Sequence, residues 1–238
     1  MSADRAEAIS FGLSRTQERI TDACRACGRD PAEVTLVVVT KTYPASDVAL
    51  LVDLGVRDVA ENRDQEARVK SAEVASLRPD AELRWHMIGQ LQRNKCASVA
   101  GWADQVESVD RLALVGPLAR AADARGAPLD VLVQLNLDPA PAPGRGGSRS
   151  EDLHDVAAAV AAMPSLRLRG VMGVAPLDED PRGAFAALSL AAAGIRASWP
   201  MAGTISAGMS GDLEAAIAAG STQVRIGSAV LGSREAGR

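Results

Sequence analysis

Residues 34–62 read VTLVVVTKTYPASDVALLVDLGVRDVAEN, and this stretch decides the fold. Its first seven residues are all apolar or β-branched, the composition of a strand buried on both faces. Lys41 follows at once, and an apolar-periodic stretch after Pro44 predicts a helix over 46–54, closed by Gly55. A second short run at 57–60 then ends on Glu61-Asn62. Strand, helix and strand in this order make one parallel βα unit and the start of the next, because a parallel neighbour needs a crossover.

The same alternation continues outward. Apolar, β-branched runs recur at 83–88, 104–109, 129–137, 166–174, 203–206 and 223–226, separated by Ala- and Leu-rich stretches of helical character. Helices are expected from Asn94 and over 110–125 among them. An amphipathic helix over 3–27 leads the chain. The reading is therefore α/β: a (β/α)8 TIM barrel over about 34–233 with an extra N-terminal helix, in a single domain 1–238. An open doubly wound sheet also alternates, but no G-x-G-x-x-G follows the first run. The one irregular stretch, 138–150, is rich in Pro and Gly and reads as a loop after the fifth strand, open to a role as a lid.

The 238 residues are 47% hydrophobic and 24% charged, which excludes a disordered or low-complexity chain. A net charge of −4 and a pI near 5.3 give no general pull toward nucleic acid or anionic membrane. No stretch reaches the apolar length of a membrane span, and acids and bases mix from Met1 to Arg5, so a cytoplasmic, unprocessed chain is expected. Three cysteines make no disulfide framework. The Cys24-x-x-Cys27 spacing sits in a helical segment, and with two histidines no metal site is expected.

In such barrels the working residues lie at the C-terminal ends of the strands. Lysine is scarce, three against 23 arginines, and only Lys41 ends a strand. An amine against an apolar wall is a nucleophile toward carbonyls, although a lysine reaching out of a barrel mouth fits the position as well. Lys70 and Lys95 lie in polar helical surroundings, where a solvated ammonium is expected. Ser206 to Asp212 and Ile226 to Ala229 bring small residues and hydroxyls to the loops after strands seven and eight, which suits a phosphate, while Ser210 or Asp212 capping a helix accounts for either loop alone. A Schiff-base lysine beside a phosphate site narrows the ligand to a phosphorylated aldehyde or ketone, with pyridoxal phosphate (PLP) and a sugar phosphate as the candidates.

These residues resemble the YggS/PROSC family of PLP homeostasis proteins, whose barrel is alanine-racemase-like. The resemblance rests on Val39-Thr40-Lys41-Thr42, Glu61-Asn62 with Gln65-Glu66, and Trp85-His86-Met87-Ile88-Gly89-Gln90-Leu91-Gln92-Arg93-Asn94-Lys95. It continues through Arg169-Gly170-Val171-Met172, Ser206-Ala207-Gly208-Met209-Ser210 and Val224-Arg225-Ile226-Gly227-Ser228. It implies that Lys41 carries PLP as an internal aldimine, that Ser206 with the backbone at Gly227 and Ser228 holds the phosphate, that Arg225 faces the pyridine nitrogen, and that Asn62 and Met172 line the ring. Ala60 stands where the family usually has glycine, and the loop after strand five looks longer and richer in proline.

An arginine stays protonated and leaves the pyridine nitrogen without a proton, so the ring is a poor electron sink and aminotransferase chemistry is disfavoured. Racemisation needs acid and base groups on opposite faces of the α-carbon; Tyr43, the sole tyrosine, is poorly placed, and His86 reads as a hydrogen-bonded residue of strand three. The resemblance thus implies a PLP-binding protein without a dedicated reaction, a monomer or weak dimer that passes the cofactor to PLP-dependent apoenzymes. A weak amino-acid racemase and a Schiff-base aldolase acting on a sugar phosphate are the alternatives.

Overall fold

The computed structural model describes residues 3–138, 146–177 and 179–232. Eight parallel strands close into a barrel in chain order: β1 (Thr35–Val39), β2 (Asp58–Glu61), β3 (Arg84–Met87), β4 (Gln105–Val109), β5 (Leu129–Leu135), β6 (Leu166–Gly173), β7 (Thr204–Ser206) and β8 (Gln223–Ile226). The last strand pairs with the first, Val37 opposite Arg225, so no edge is left open. The TIM barrel expected from the sequence is the fold observed.

Helix α1 (Ala3–Ala26) precedes the barrel. Around it lie α2 (Ala45–Asp53), α3 (Asp64–Leu77), α4 (Cys96–Ala100), α5 (Leu112–Arg125), α6 (Leu153–Ala161), α7 (Pro181–Ser198), α8 (Leu213–Ala218) and α9 (Ser228–Leu231). The ends have local causes. Asp180 accepts a hydrogen bond from the Arg182 amide and Pro181 opens α7, while Gly126 closes α5 in the left-handed region. The helix expected from Asn94 begins as a 3-10 turn over Arg93–Lys95 before α4 takes over. Of the loop 138–150, residues 139–145 lie outside the described residues, and Ser148 bridges back to Leu135.

The outer core, between strands and helices, is aliphatic and continuous, with Trp85 and Trp102 packed edge to face at 6.5 Å. α1 ties the seam between β8 and β1. Arg5 pairs with Asp47 and donates to the Leu231 carbonyl at 2.9 Å, and Arg19 pairs with Glu214 at 2.8 Å and donates to the Ser210 carbonyl at 3.1 Å.

The barrel interior is different. Barrels of this kind are filled mainly by branched aliphatic side chains. Here Val37, Val39 and Ala60 form only a small apolar group, and buried His86, Gln105, Glu107, Ser206, Gln223 and Arg225 make up a hydrogen-bonded polar core. That core runs from Arg225 at the C-terminal mouth to Gln105 and Gln223, which line a cavity at the opposite end of the barrel.

Candidate functional site

Two adjoining cavities open at the C-terminal mouth and share Ile88. The first, about 460 Å³, is lined by Lys41, Tyr43, Ser210, Gly211, Arg225, Gly227 and Ser228, with Val39 and Met209 among its apolar walls. The second, about 370 Å³, holds Asn62 and Met172 with Gln134, Asn136 and Gly146. Of the seven residues named from the sequence, Lys41, Arg225, Gly227 and Ser228 therefore share one cavity, and Asn62 and Met172 lie in its neighbour. Gly89 allows this close arrangement, because a Cβ there would lie 2.0 Å from the Asn62 carbonyl oxygen.

Ser206 lines neither cavity. It is fully buried, donates to Glu107 Oε2 at 2.6 Å, and accepts from Arg225 Nη1 at 2.5 Å and Gln223 Nε2 at 3.1 Å. Its hydroxyl lies beneath the arginine and is committed there. The rim hydroxyls of Ser210 and Ser228 lie in the first cavity instead. Asp212 turns its loop by accepting from the Met209 amide at 2.5 Å.

Arg225 is 4% exposed, and its second Nη donates to the Gly173 carbonyl at 2.9 Å. Burial lowers its pKa from the ordinary value, against the pull of Glu107 and Asp212, yet a guanidinium remains protonated at any physiological pH. Its charge is balanced through a chain of contacts. Glu107, 3.9 Å from Nη1, also bonds His86 Nδ1 at 2.7 Å and Gln223 Nε2 at 2.7 Å, and His86 Nε2 meets Asp58 at 3.0 Å. Burial pushes the His86 pKa down, but bonds to Asp58 and Glu107 outweigh it and the net shift is upward. Burial pushes Glu107 up, and His86, Arg225 and Ser206 bring it net below the ordinary carboxylate value. Both shifts favour an imidazolium facing a carboxylate. His86 is thus a buried structural residue of β3, as its sequence context predicts.

Lys41 is exposed on the turn after β1. The Tyr43 amide donates to the Thr40 carbonyl at 3.1 Å, and Thr42 has a φ of +71°. A positive φ at the third position is the type II pattern, which suits glycine and strains a β-branched residue by about 1–3 kcal/mol. The Tyr43 hydroxyl donates to the Gly232 carbonyl at 2.5 Å.

The structure overturns the expectation of a solvated Lys70. This lysine on α3 is 5% exposed and donates to the Thr40 carbonyl at 2.7 Å, Glu61 Oε1 at 2.7 Å and Glu66 Oε1 at 2.8 Å. Glu61 faces outward from β2, so the helix can reach it only with a long cationic side chain. Lys95 is half-buried, 3.6 Å from Asp64. Cys24 is buried and Cys27 exposed, both as free thiols, and among the described residues no cluster of His, Cys, Asp and Glu is placed to hold a metal ion. No helix among them is long and apolar enough to cross a membrane.

The family model described as alanine racemase, N-terminal domain, matches residues 13–235. A pyridoxal phosphate homeostasis protein of Mycobacterium tuberculosis is 43% identical over 244 residues, covering 97% of this chain and 95% of the relative. One from Escherichia coli is 41% identical over 230 residues, covering 95% and 97%. The solved structure of PipY from Synechococcus elongatus with PLP bound superposes with a TM-score of 0.80 at 30% identity, covering 94% of this chain and all of that one. The chain belongs to the alanine racemase N-terminal domain family and, within it, to the pyridoxal phosphate homeostasis proteins.

Proposed function

We propose that this chain binds PLP in the cavity of Lys41 and Arg225, and that it holds and hands on the cofactor without a dedicated reaction of its own. The observation that carries the reading is the opening of an exposed primary amine and a buried, charge-balanced guanidinium onto one cavity of about 460 Å³, with two free-standing hydroxyls at its rim. The donor set matches the three polar features of the cofactor: an aldehyde, a ring nitrogen and a phosphate. Gly227 lets the backbone come close at the rim, since a Cβ there would lie 3.1 Å from the Val39 carbonyl oxygen. The relatives' names and the PLP-bound PipY structure support the same assignment.

When bound, PLP supplies a reactive aldehyde on an electron-withdrawing ring. Lys41 presents the amine for covalent attachment. Arg225 donates a hydrogen bond to the ring nitrogen and cannot give it a proton, which keeps the ring a weak electron sink. Ser228, Ser210 and the backbone at Gly227 hold the phosphate, while Asn62 and Met172 flank the ring from the neighbouring cavity. Ser206 acts one step removed, fixing Arg225 from below.

A racemase needs groups that move a proton on both faces of a substrate. Tyr43 and His86 are engaged elsewhere: the Tyr43 hydroxyl on Gly232, and His86 in the barrel core between two carboxylates. Storage and transfer of the cofactor fit this geometry better than racemisation or sugar-phosphate cleavage. The proposal extends to a single domain over 1–238, a cytoplasmic location, a monomer or weak dimer, and PLP-dependent apoenzymes as recipients.

Titration of the purified protein with PLP, followed by visible absorbance, tests the reading. The expected result is a lysine-bound chromophore that Lys41→Ala abolishes. An unchanged spectrum and affinity in that variant would contradict it.

A further inference from the structure

The peptide groups on either side of Lys41 are both held from outside the barrel by one helix. The Thr40 carbonyl, which precedes Lys41, accepts from Lys70 Nζ at 2.7 Å. The Thr42 amide, which follows it, donates to Glu66 Oε1. Lys70 and Glu66 are four residues apart on α3 and pair with each other at 2.8 Å, and Lys70 is anchored at 2.7 Å by Glu61, a fully buried residue at the end of β2. Glu61 also accepts from the Thr40 hydroxyl at 2.6 Å.

The turn needs such an anchor. Thr42 at a φ of +71° is strained, and it is the sole non-glycine residue with positive φ among those described. The strain is relieved if the peptide between Lys41 and Thr42 rotates to the type I arrangement, which turns the Thr42 amide away. Glu66 opposes that rotation, since its carboxylate takes the amide on the type II side. The direction of the Lys41 Cα–Cβ bond is set by the preceding peptide, which Lys70 holds at the Thr40 carbonyl, while the peptide held by Glu66 decides which backbone groups the side chain passes on its way to the cavity.

We propose that Lys70 and Glu66 are positioning residues for the Lys41 amine: a salt-bridged clamp on α3 that holds a strained type II turn and so fixes how the amine enters the cavity. Neither side chain touches the cofactor. The inference rests on Lys41 being the attachment point.

The test compares wild type, Glu66→Ala, a Lys70→Met/Glu61→Gln pair that leaves no lone buried charge, and Glu66→Ala with Thr42→Gly added. Three quantities are read: the exchange rate of bound PLP against free cofactor, the amount of borohydride-fixed adduct on Lys41, and hydrogen-exchange protection of the Thr42 amide in the cofactor-free protein. Misplacing a reacting group by about 1 Å costs up to about 100-fold. The clamp variants are expected to exchange PLP about 10- to 100-fold faster, with the Thr42 amide deprotected. Thr42→Gly, which favours the type II turn intrinsically, is expected to restore slow exchange in the Glu66→Ala background.

Wild-type exchange in Glu66→Ala with a deprotected Thr42 amide overturns the proposal. So does fast exchange that Thr42→Gly leaves unrescued, which marks a general packing role. An absence of adduct on Lys41 in the wild type is a separate result that removes the attachment reading itself.

Discussion

Replacing Glu107 by Gln keeps the shape of a fully buried side chain with five polar neighbours and removes one charge. Glu107 is fully buried and faces donors on His86 at 2.7 Å, Ser206 at 2.6 Å, Gln223 at 2.7 Å and Gln105 at 3.3 Å, with Arg225 at 3.9 Å. Gln turns an amide nitrogen toward some of these donors and leaves two buried cations short of a counter-charge. Removing one partner of a buried ion pair costs about 3–5 kcal/mol. His86 limits the loss by releasing its proton, which makes the cost depend on pH.

In the wild type the folded pKa of His86 lies above its ordinary value of 6.5, so its contribution is fully present below 6.5 and is lost as pH rises through the folded pKa. In Glu107→Gln one of the two carboxylates that raise His86 is gone, so its folded pKa falls and that variant gains relative stability over the same interval. The gap is expected to be about 3–5 kcal/mol at pH 6 and to narrow toward pH 8, by no more than the limit of about 1.4 kcal/mol per pH unit for one proton. At about 2–4 °C per kcal/mol for a chain of this size, Tm falls by about 6–20 °C at the lower pH. Buried Trp85 and Trp102 report urea unfolding directly by fluorescence. A variant within about 0.5 kcal/mol of wild type at both pH values, or a gap that does not narrow, refutes the charge assignment of the core.

Two further outcomes follow from where the hydroxyls lie. Ser228→Ala is expected to weaken PLP binding about tenfold, the worth of one charge-assisted hydrogen bond, whereas Ser206→Ala destabilises the fold and changes affinity less, as equilibrium dialysis and thermal melting will separate. Tyr43→Phe loses the bond to Gly232, costs about 1 kcal/mol of stability, and leaves PLP attachment and any trace of amino-acid inversion unchanged; a loss of inversion in that variant would revive the racemase reading.

The eight strands were legible because barrel strands buried on both faces are short β-branched runs, and their ends moved by a residue or two where the chain leaves the ladder, as at Asn136 and Leu137 after β5. The polar interior is legible in the same runs. Gln105-Val106-Glu107 on β4 and Gln223-Val224-Arg225 on β8 alternate polar with apolar, a pattern foreign to a strand with two dry faces, and that pattern marks the inward side. Lys70 could not be placed from its helix alone. Its partners Thr40 and Glu61 come from the ends of two different strands, and only the pairing of β1 with β2 brings them together within its reach. Ser206 ends β7, where a phosphate ligand is expected, and in the cofactor-free chain strand alternation turns its hydroxyl inward under Arg225, a contact that position alone does not predict.

Lys41 carries the account, and its attachment to the cofactor can be read chemically. Purified protein loaded with PLP, reduced with borohydride, digested and weighed peptide by peptide should show the pyridoxyl mass on the peptide containing Lys41 and not on those containing Lys70 or Lys95. A pyridoxyl group on another residue, or none on Lys41 after loading, contradicts the account.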